Sequence, residues 1–280
     1  MTYLKVLGVA QDGGYPHTGC YKECCKEAWN DKNKRKLVSS LAIIDGNSKK
    51  FWLLDISPDI KDQLQMFDAD YQLSGIFLTH AHVGHYTGLF QLGLEVMNVS
   101  NIPVYAMPKM KSFLENNSSL SFMIKTGNIS PIQMKENKPI QLIENINIEP
   151  FLVQHRNELS ETAGFKIVTD KKSVIYLPDI DSWDTELNIV KLIRNNDALF
   201  LDGTFYDKKE LQNRDISKIP HPSILESIKH FKNLEKKEKN KIFFTHLNHT
   251  NKLFQKESSE YLSIASKGYN VADDGDIISL

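Results

Sequence analysis

The sequence lacks long apolar runs and has no excess of charge of one sign. No segment approaches the roughly 18 to 20 uninterrupted apolar residues that a membrane-spanning helix needs. Lysine and arginine number 34 and aspartate and glutamate 35, which gives a formal net charge of −1. Balanced charge provides no broad attraction to nucleic acid or to anionic membranes. We therefore expect a small-molecule substrate and no nucleic-acid or membrane partner, and the sequence leaves open whether the chain forms a homodimer.

The pattern at the start of the sequence is not that of a secretory signal. The chain passes from Met1 directly into a strand-like run at residues 3–7, whereas a signal peptide has a basic start followed by a longer apolar stretch. This pattern predicts a cytoplasmic protein. A periplasmic or secreted location would apply instead if a signal peptide had been removed.

Cysteine is scarce, with only Cys20, Cys24 and Cys25 in the whole chain. An odd number of cysteines in one short segment is a poor layout for a disulfide framework and suggests a metal site. Free thiols, or one strained disulfide pair, are the alternatives that spacing alone leaves open.

Apolar patterning predicts one domain over residues 1–280 that mixes strands and helices. The predicted strands are residues 3–10, 38–45, 51–55, 75–79, 146–153, 164–169, 173–177, 198–202 and 241–245. The predicted helices are residues 57–67, 88–97, 109–116, 183–195, 223–231 and 252–266. Strands dominate the first part and helices alternate with strands later, which favours a sandwich of sheets covered by helices on its outer faces.

Three histidines, His80, His82 and His85, directly follow the apolar run at residues 76–78. Active-site residues collect at such strand ends. In an extended or turning backbone His80 and His82 point to the same side, as two imidazoles that bind one ion must. Packing explains such a cluster poorly, because each buried imidazole would need its own hydrogen-bond partner.

Three more candidate ligands, His155, Asp179 and His246, each follow an apolar strand in the same way. Taken singly, each is equally well explained as a satisfied polar residue at a strand end. Taken together with the histidine cluster, they predict a metal site where several strand ends meet. His221, which lies just before Pro222 and a helical run, is a candidate to contact a leaving group or an oxyanion, and His230 is expected on the surface of a helix.

The order of these residues resembles the metallo-β-lactamase superfamily, whose motifs are His-x-His-x-x-His, a later histidine, an aspartate after a strand and a final histidine. Further segments resemble the branch of coenzyme PQQ biosynthesis protein B, namely residues 11–14, 20–25, 155–158, 162–165 and 202–205. The resemblance covers nearly the whole chain. It implies an α/β (α+β) fold, the four-layer αβ/βα sandwich, with catalytic metal at one edge of the paired sheets.

The resemblance also implies roles for individual residues. The metal ligands would be His80, His82, His85, His155, Asp179 and His246. Asp55 would contact and orient a ligand side chain without binding the metal itself. Arg156 and Glu158 either orient ligands in the same way or form an ion pair with each other.

A second metal site follows from the same resemblance, in which an N-terminal cysteine cluster and a late histidine hold structural zinc. Here the set would be Cys20, Cys24, Cys25 and His249, on a Cys-rich loop at about residues 17–25. Because Cys24 and Cys25 are adjacent, one of them could be idle and His17 could take its place.

The chain departs from the superfamily motif at Gly84, where an aspartate normally precedes the third histidine. The second catalytic site would then retain only His85, His246 and the shared Asp179, and would be weak, filled by another metal, or empty. The missing aspartate also puts efficient hydrolysis in doubt.

Three functions remain compatible with the sequence. The leading hypothesis is a metal-dependent hydrolase in which a metal-activated water, positioned by Asp179, attacks an ester, amide or phosphoester, with His221 as a second catalytic residue. We expect zinc, with one or two catalytic ions and one structural ion, although iron or manganese also suits the catalytic ligands. The alternatives are an iron-dependent oxygenase and a catalytically weak metal-binding or sensing protein.

Overall fold

The computed structural model describes residues 2–211 and 219–280. The strands are β1 (Thr2–Gly8), β2 (Ser40–Asp45), β3 (Lys50–Leu54), β4 (Gln72–Phe77), β5 (Ile102–Ala106), β6 (Ile129–Gln133), β7 (Ile140–Ile143), β8 (Ile146–Val153), β9 (Thr162–Thr169), β10 (Ser173–Leu177), β11 (Ala198–Asp202), β12 (Ile242–Thr245), β13 (Asn270–Val271) and β14 (Ile277–Ser279). The α-helices are α1 (Glu23–Asn30), α2 (Ile60–Leu64), α3 (Val83–Tyr86), α4 (Pro108–Asn116), α5 (Ser118–Lys125), α6 (Ile189–Asn195), α7 (Ile224–His230), α8 (Lys236–Lys239) and α9 (Ser259–Ser266).

The strands form two seven-stranded mixed sheets with matching plans. One sheet has the order β14-β1-β2-β3-β4-β5-β6 and the other β13-β12-β11-β10-β9-β8-β7. In the first sheet the pairs from β14 to β3 are antiparallel and those from β3 to β6 are parallel. In the second sheet the pairs from β7 to β10 are antiparallel and those from β10 to β13 are parallel.

The two sheets pack face to face, because one apolar cluster contains buried side chains of both, such as Leu41, Phe77, Phe165 and Phe200. The outer face of the first sheet packs on α2, α4 and α5, and the outer face of the second packs on α6, α7 and α9. Helices, two sheets and helices therefore make four layers, which confirms the predicted αβ/βα sandwich.

Several predicted elements have different bounds in the structure. The helix expected at residues 88–97 is a short 3₁₀ helix, Thr87–Leu92. Gly88 within it lies close to the backbone, since a Cβ there would be 2.2 Å from the carbonyl oxygen of Ser57. The helix expected at residues 252–266 begins only at Ser259, where the Ser258 side chain accepts the Tyr261 N–H. Strands β5 and β6 were missed because Pro103 and Pro131 lie inside them, and proline argues against a strand assignment.

Within the described residues, none of the helices combines the length and the apolar character that crossing a membrane requires. The strand arrangement places the C-terminal ends of β3, β4, β8, β10, β11 and β12 at one edge of the sandwich. The residues that follow these ends make up the candidate site.

Candidate metal centre

Three of the candidate ligands, His80, His82 and His155, form one group of facing imidazoles. Their nearest ring nitrogens lie within 4.8 Å of one another, and Nε2 of His80 is 2.7 Å from Nδ1 of His82. His80 and His82 lie between β4 and α3, and His155 follows β8. The strand ends of both sheets thus contribute to the same group.

The second group surrounds the carboxylate of Asp179, which follows β10. Its Oδ1 atom lies 3.5 Å from Nε2 of His155. Its Oδ2 atom lies 3.3 Å from Nε2 of His85 and 3.6 Å from Nε2 of His246. Asp179 therefore lies between the two sets of histidines, with one oxygen toward each.

One further carboxylate joins this second group. Asp12 Oδ1 is 3.6 Å from Nε2 of His85, and Asp12, His85 and His246 form a potential metal-binding set. Asp12 was not among the three ligands expected at the second site, but it lies beside them. This aspartate is distant in the sequence and enters the space beside Gly84.

The spacing of these atoms fits metal coordination. Ligand atoms held at about 2.0–2.1 Å from a tetrahedral zinc ion are about 3.3 Å apart, and the distances around Asp179 are 3.3, 3.5 and 3.6 Å. Three buried atoms, His85 Nε2, His246 Nε2 and Asp179 Oδ2, have no hydrogen-bond partner within the described chain. Leaving a polar group buried and unpaired costs about 1–3 kcal/mol, so one cation would satisfy all three.

In His80, His155 and His246, the Nδ1 atom is hydrogen-bonded to another side chain of the protein. His80 Nδ1 is hydrogen-bonded to Thr79 Oγ1 at 2.9 Å, and His246 Nδ1 to Thr204 Oγ1 at 3.0 Å. His155 donates from Nδ1 to Asp181 at 3.0 Å. Such bonds fix the ring orientation of metal-binding imidazoles. They leave Nε2 of His155 and His246 facing Asp179.

Asp55 supports His85 in the same way. It accepts from His85 Nδ1 at 2.7 Å and from the backbone N–H of Thr79 at 2.8 Å. Asp55 is fully buried and adopts a φ of 62°, a strained value for a residue other than glycine. Asp55 thus lies behind His85 and hydrogen-bonds it, which is compatible with the supporting role that the family resemblance implies.

Burial and neighbouring charges set the protonation of the site. Burial and the nearby His85 hold the pKa of His80 well below its ordinary value, and burial together with His85 and His221 does the same for the pKa of His246. Burial and His155 lower the pKa of His82 to about 4. Most of these rings are therefore neutral at pH 7, the form that binds metal.

His85 and Asp179 shift in the opposite direction. Burial disfavours the charged His85, but the carboxylates of Asp55, Asp179 and Asp12 outweigh it and raise the pKa of His85 to about 10. Burial raises the pKa of Asp179 to about 6, although His85 and His155 oppose the shift. In the absence of a cation, a proton on His85 therefore balances part of the negative charge.

His221 lies beside the centre rather than apart from it. Its ring is 5.0 Å from that of His155, and it donates from Nδ1 to Asp202 at 2.7 Å. Burial lowers and Asp202 raises the pKa of His221, with a net upward shift. His221 also lines a cavity of about 390 Å³, together with Asp181, Trp183 and Lys229.

Arg156 and Glu158 contact each other, which is one of the two roles that we expected. Arg156 Nε is 3.1 Å from Glu158 Oε1, and the two side chains are 40% and 56% exposed. They form a surface ion pair with each other, which was the alternative interpretation. His230 is exposed, as predicted.

The cysteines gather with His249 at a separate place. Cys20 Sγ and Cys24 Sγ are 3.7 Å apart, and His249 Nδ1 is 3.5 Å from Cys24 Sγ and 3.4 Å from Cys25 Sγ. A disulfide requires about 2.05 Å, so the alternative of a strained pair is wrong. Bonds of about 2.3 Å to sulfur and 2.0–2.1 Å to nitrogen give tetrahedral ligand separations close to these.

Two details of the cysteine group differ from expectation. Cys24 and Cys25 lie on helix α1 rather than in a loop, and the sulfurs of both belong to the potential metal-binding group. His17 packs against His249 at 4.4 Å between ring centroids, but its Nδ1 is hydrogen-bonded to the backbone oxygen of Thr18 at 2.9 Å. Burial raises the pKa of Cys25 to about 12, which opposes the thiolate form that metal binding requires.

Three acidic residues of the centre, Asp12, Asp181 and Asp202, were not predicted. Asp12 and Asp202 lie in segments that the family resemblance had singled out without assigning them a role, and Asp181 lies two residues after Asp179. Each contacts a histidine that is far away in the sequence. A sequence pattern that considers one strand end at a time does not reveal such pairs.

Comparison with known proteins agrees with this architecture. The family model described as "Beta-lactamase superfamily domain" matches residues 52–247. Coenzyme PQQ synthesis protein B of Methylorubrum extorquens is 24% identical over 299 residues, which cover 98% of each chain. The structure of Zn²⁺-bound PqqB from Methylobacterium extorquens superposes with a TM-score of 0.84 at 23% identity over 100% of both chains. A diphosphatase of the PhnP family superposes with a TM-score of 0.70 at 22% identity, over 99% of this chain and 96% of that one. The chain therefore belongs to the metallo-β-lactamase superfamily and is similar within it to coenzyme PQQ synthesis protein B.

Proposed function

We propose that this protein is a metal-dependent hydrolase that acts on a small-molecule ester, amide or phosphoester. The observation that supports this most strongly is a set of three buried atoms, His85 Nε2, His246 Nε2 and Asp179 Oδ2, that lack hydrogen-bond partners within the described residues. The two nitrogens lie 3.3 and 3.6 Å from the carboxylate oxygen. Without a bound cation these atoms would stay without hydrogen-bond partners, and a proton on His85 would be left to offset part of the negative charge.

Two ions would be held side by side. His80, His82 and His155 would bind the first and His85 and His246 the second, with Asp179 shared between them. Bound zinc would supply the hydrolytic nucleophile by lowering the pKa of a coordinated water from about 15.7 to near 7. Thr79, Asp55, Asp181 and Thr204 hold the imidazoles in place.

His221 would act on the substrate. Because Asp202 holds one of its ring nitrogens, the other is available to hydrogen-bond a substrate oxygen. The adjoining cavity of about 390 Å³ lies within the range of roughly 300–1,000 Å³ that is usual for small-molecule sites. Its lining carries three lysines, Lys208, Lys229 and Lys232, and three carboxylates, Asp181, Asp184 and Glu226, so the charges of the lining balance and do not select the charge of the substrate.

The test is elemental analysis of the purified chain, combined with turnover of model phosphoesters and carboxyl esters. We expect zinc in the wild-type protein, fewer ions in His82→Ala, and an unchanged metal count in the surface control His230→Ala. Hydrolysis should disappear with the ions and return when zinc is added. A metal-free protein that still hydrolyses, or a zinc-loaded protein without turnover of any ester, would contradict the proposal.

A second candidate follows from the relatives that match nearly the whole chain, which are named for coenzyme PQQ synthesis. Three imidazoles and a carboxylate also suit iron. Finding iron together with oxygen consumption would favour an oxygenase over a hydrolase. The cysteine group with His249 would hold a structural zinc ion under either function.

A further inference from the structure

The side chain of Asp12 occupies the space beside the Cα atom of Gly84. A Cβ atom on Gly84 would lie 2.2 Å from Asp12 Oδ1 and 2.8 Å from Asp12 Cα. The backbone N–H of Gly84 donates to Asp12 Oδ1 at 3.1 Å. The Asp12 carboxylate therefore fills the volume into which any side chain at position 84 would project.

We propose that Asp12 is a ligand of the second catalytic ion and supplies, from the N-terminal segment, the carboxylate that the superfamily motif carries at position 84. The inference rests on the proposed metal centre and deepens it. The second ion would then have Asp12, His85, Asp179 and His246 around it, instead of the three ligands that the motif leaves.

The backbone holds Asp12 beside the other ligands. Leu247, the residue after His246, donates its N–H to the Val9 carbonyl at 2.7 Å, and the Gln11 N–H donates to the Leu247 carbonyl at 2.9 Å. Asp12 and His246 are thus attached to the same pair of hydrogen-bonded backbone segments. A turn closed by the Gly14 N–H and the Gln11 carbonyl at 2.7 Å directs the Asp12 side chain to the site.

Exposure distinguishes Asp12 from the other three ligands. Its side chain is 32% exposed, whereas those of His85, His246 and Asp179 are 1–2% exposed. Asp12 therefore lies on the solvent side of the second ion and its removal leaves the buried ligands in place. We expect the second ion to be the one that Asp12 controls, with the ion at His80, His82 and His155 little affected.

The experiment compares the full-length wild-type chain with Asp12→Asn. The asparagine keeps the size of the side chain and an oxygen that accepts the Gly84 N–H, but it loses the charge that a zinc ligand needs. Asp31→Asn is the matched control, because it removes the same charge from the N-terminal segment, where the Asp31 carboxylate accepts the Asn33 N–H. Zinc affinity is measured by competition with a chelator, and ion positions by anomalous scattering from zinc-loaded crystals.

We expect the wild-type crystal to show an ion about 2.0–2.2 Å from a carboxylate oxygen of Asp12. In Asp12→Asn the second ion should bind more than about 10-fold more weakly, the first ion should bind as before, and Asp31→Asn should behave as wild type. An ion between His85 and His246 that lies beyond bonding distance from Asp12, or an unchanged second affinity in Asp12→Asn, would overturn the inference and leave the proposed function standing. If no ion binds at any of these histidines, the proposed function itself fails.

Discussion

His85 donates from Nδ1 to Asp55 Oδ2 across 2.7 Å, and both side chains are buried. The same carboxylate accepts the Thr79 N–H and contacts the Thr79 hydroxyl. One buried anion therefore orients His85 and, through Thr79, the ring of His80. The two metal-binding groups share this support.

Replacing Asp55 with asparagine should weaken metal binding without removing any ligand. The amide keeps the shape of the side chain but cannot accept from His85, Thr79 N–H and Thr79 hydroxyl as a charged group does. We expect affinity for zinc to fall by about 10–100-fold, as measured by chelator competition. Unchanged affinity in a folded variant would show that Asp55 does not orient the ligands.

The cysteine group gives a prediction about stability. It joins the N-terminal helix α1 to His249, so zinc bound there would stabilise the folded state only. Cys24→Ser should lose one zinc per chain and melt about 5–10 °C lower in the presence of zinc, the size expected when an ion held at about 100 times its dissociation constant is lost. Removing zinc from the wild-type protein with a chelator should lower its melting temperature to that of Cys24→Ser. Equal zinc contents of the wild-type protein and Cys24→Ser would contradict a zinc site at this cluster.

Candidate ligands could be found in the sequence where each directly follows one apolar strand. His80, His82, His155, Asp179 and His246 each follow a buried strand, and parallel strands bring their C-terminal ends to one edge. The sandwich itself was predictable because apolar strands extend over nearly the whole chain. Strands β5 and β6 were not, since each of them contains a proline.

The residues that complete the site were not predictable because their roles depend on contacts between distant segments. Asp12 reaches His85 only because the segment after β1 pairs with the segment after β12. Asp202 and His221 are 19 residues apart. For Arg156 and Glu158 the sequence left two roles open, and the structure shows the ion pair between them.

Asp274 provides a test of stability against pH. Burial raises the pKa of Asp274 to about 7 from a model-peptide value of 3.8, and its Oδ1 has no hydrogen-bond partner in the part of the chain described. The folded state therefore keeps a proton that the unfolded state has lost, so the free energy of unfolding falls as pH rises from about 4 to about 7. A difference of about three pH units corresponds to at most about 4 kcal/mol.

The variant Asp274→Asn carries no charge and retains an oxygen for the Leu37 N–H. Its gain in free energy of unfolding over wild type should grow between pH 5 and 7 and stay constant above pH 8, as measured by urea denaturation. The neighbour Asp273 is a control of opposite sign. Burial raises its pKa, but contacts with Lys256 and Lys36 prevail and lower it, so Asp273→Asn should lose stability at neutral pH. A pH-independent difference for Asp274→Asn would exclude the buried carboxylate as its cause.

The space shared by Asp12 and Gly84 predicts that substitutions at the two positions are coupled. Gly84→Asp alone introduces a Cβ atom 2.2 Å from Asp12 Oδ1 and a second carboxylate beside the first, so it should lower the melting temperature and disturb the second ion. In an Asp12→Gly background the side-chain clash and the charge repulsion are both gone, and only the contact with the backbone of residue 12 remains. The loss of melting temperature caused by Gly84→Asp should therefore be smaller in that background, and the double variant should bind the second ion more tightly than Asp12→Gly does. Coupling of 0.5–3 kcal/mol is usual for residues in contact, and strict additivity of the two substitutions would show that the carboxylate of Asp12 and a side chain at position 84 do not compete for the same place.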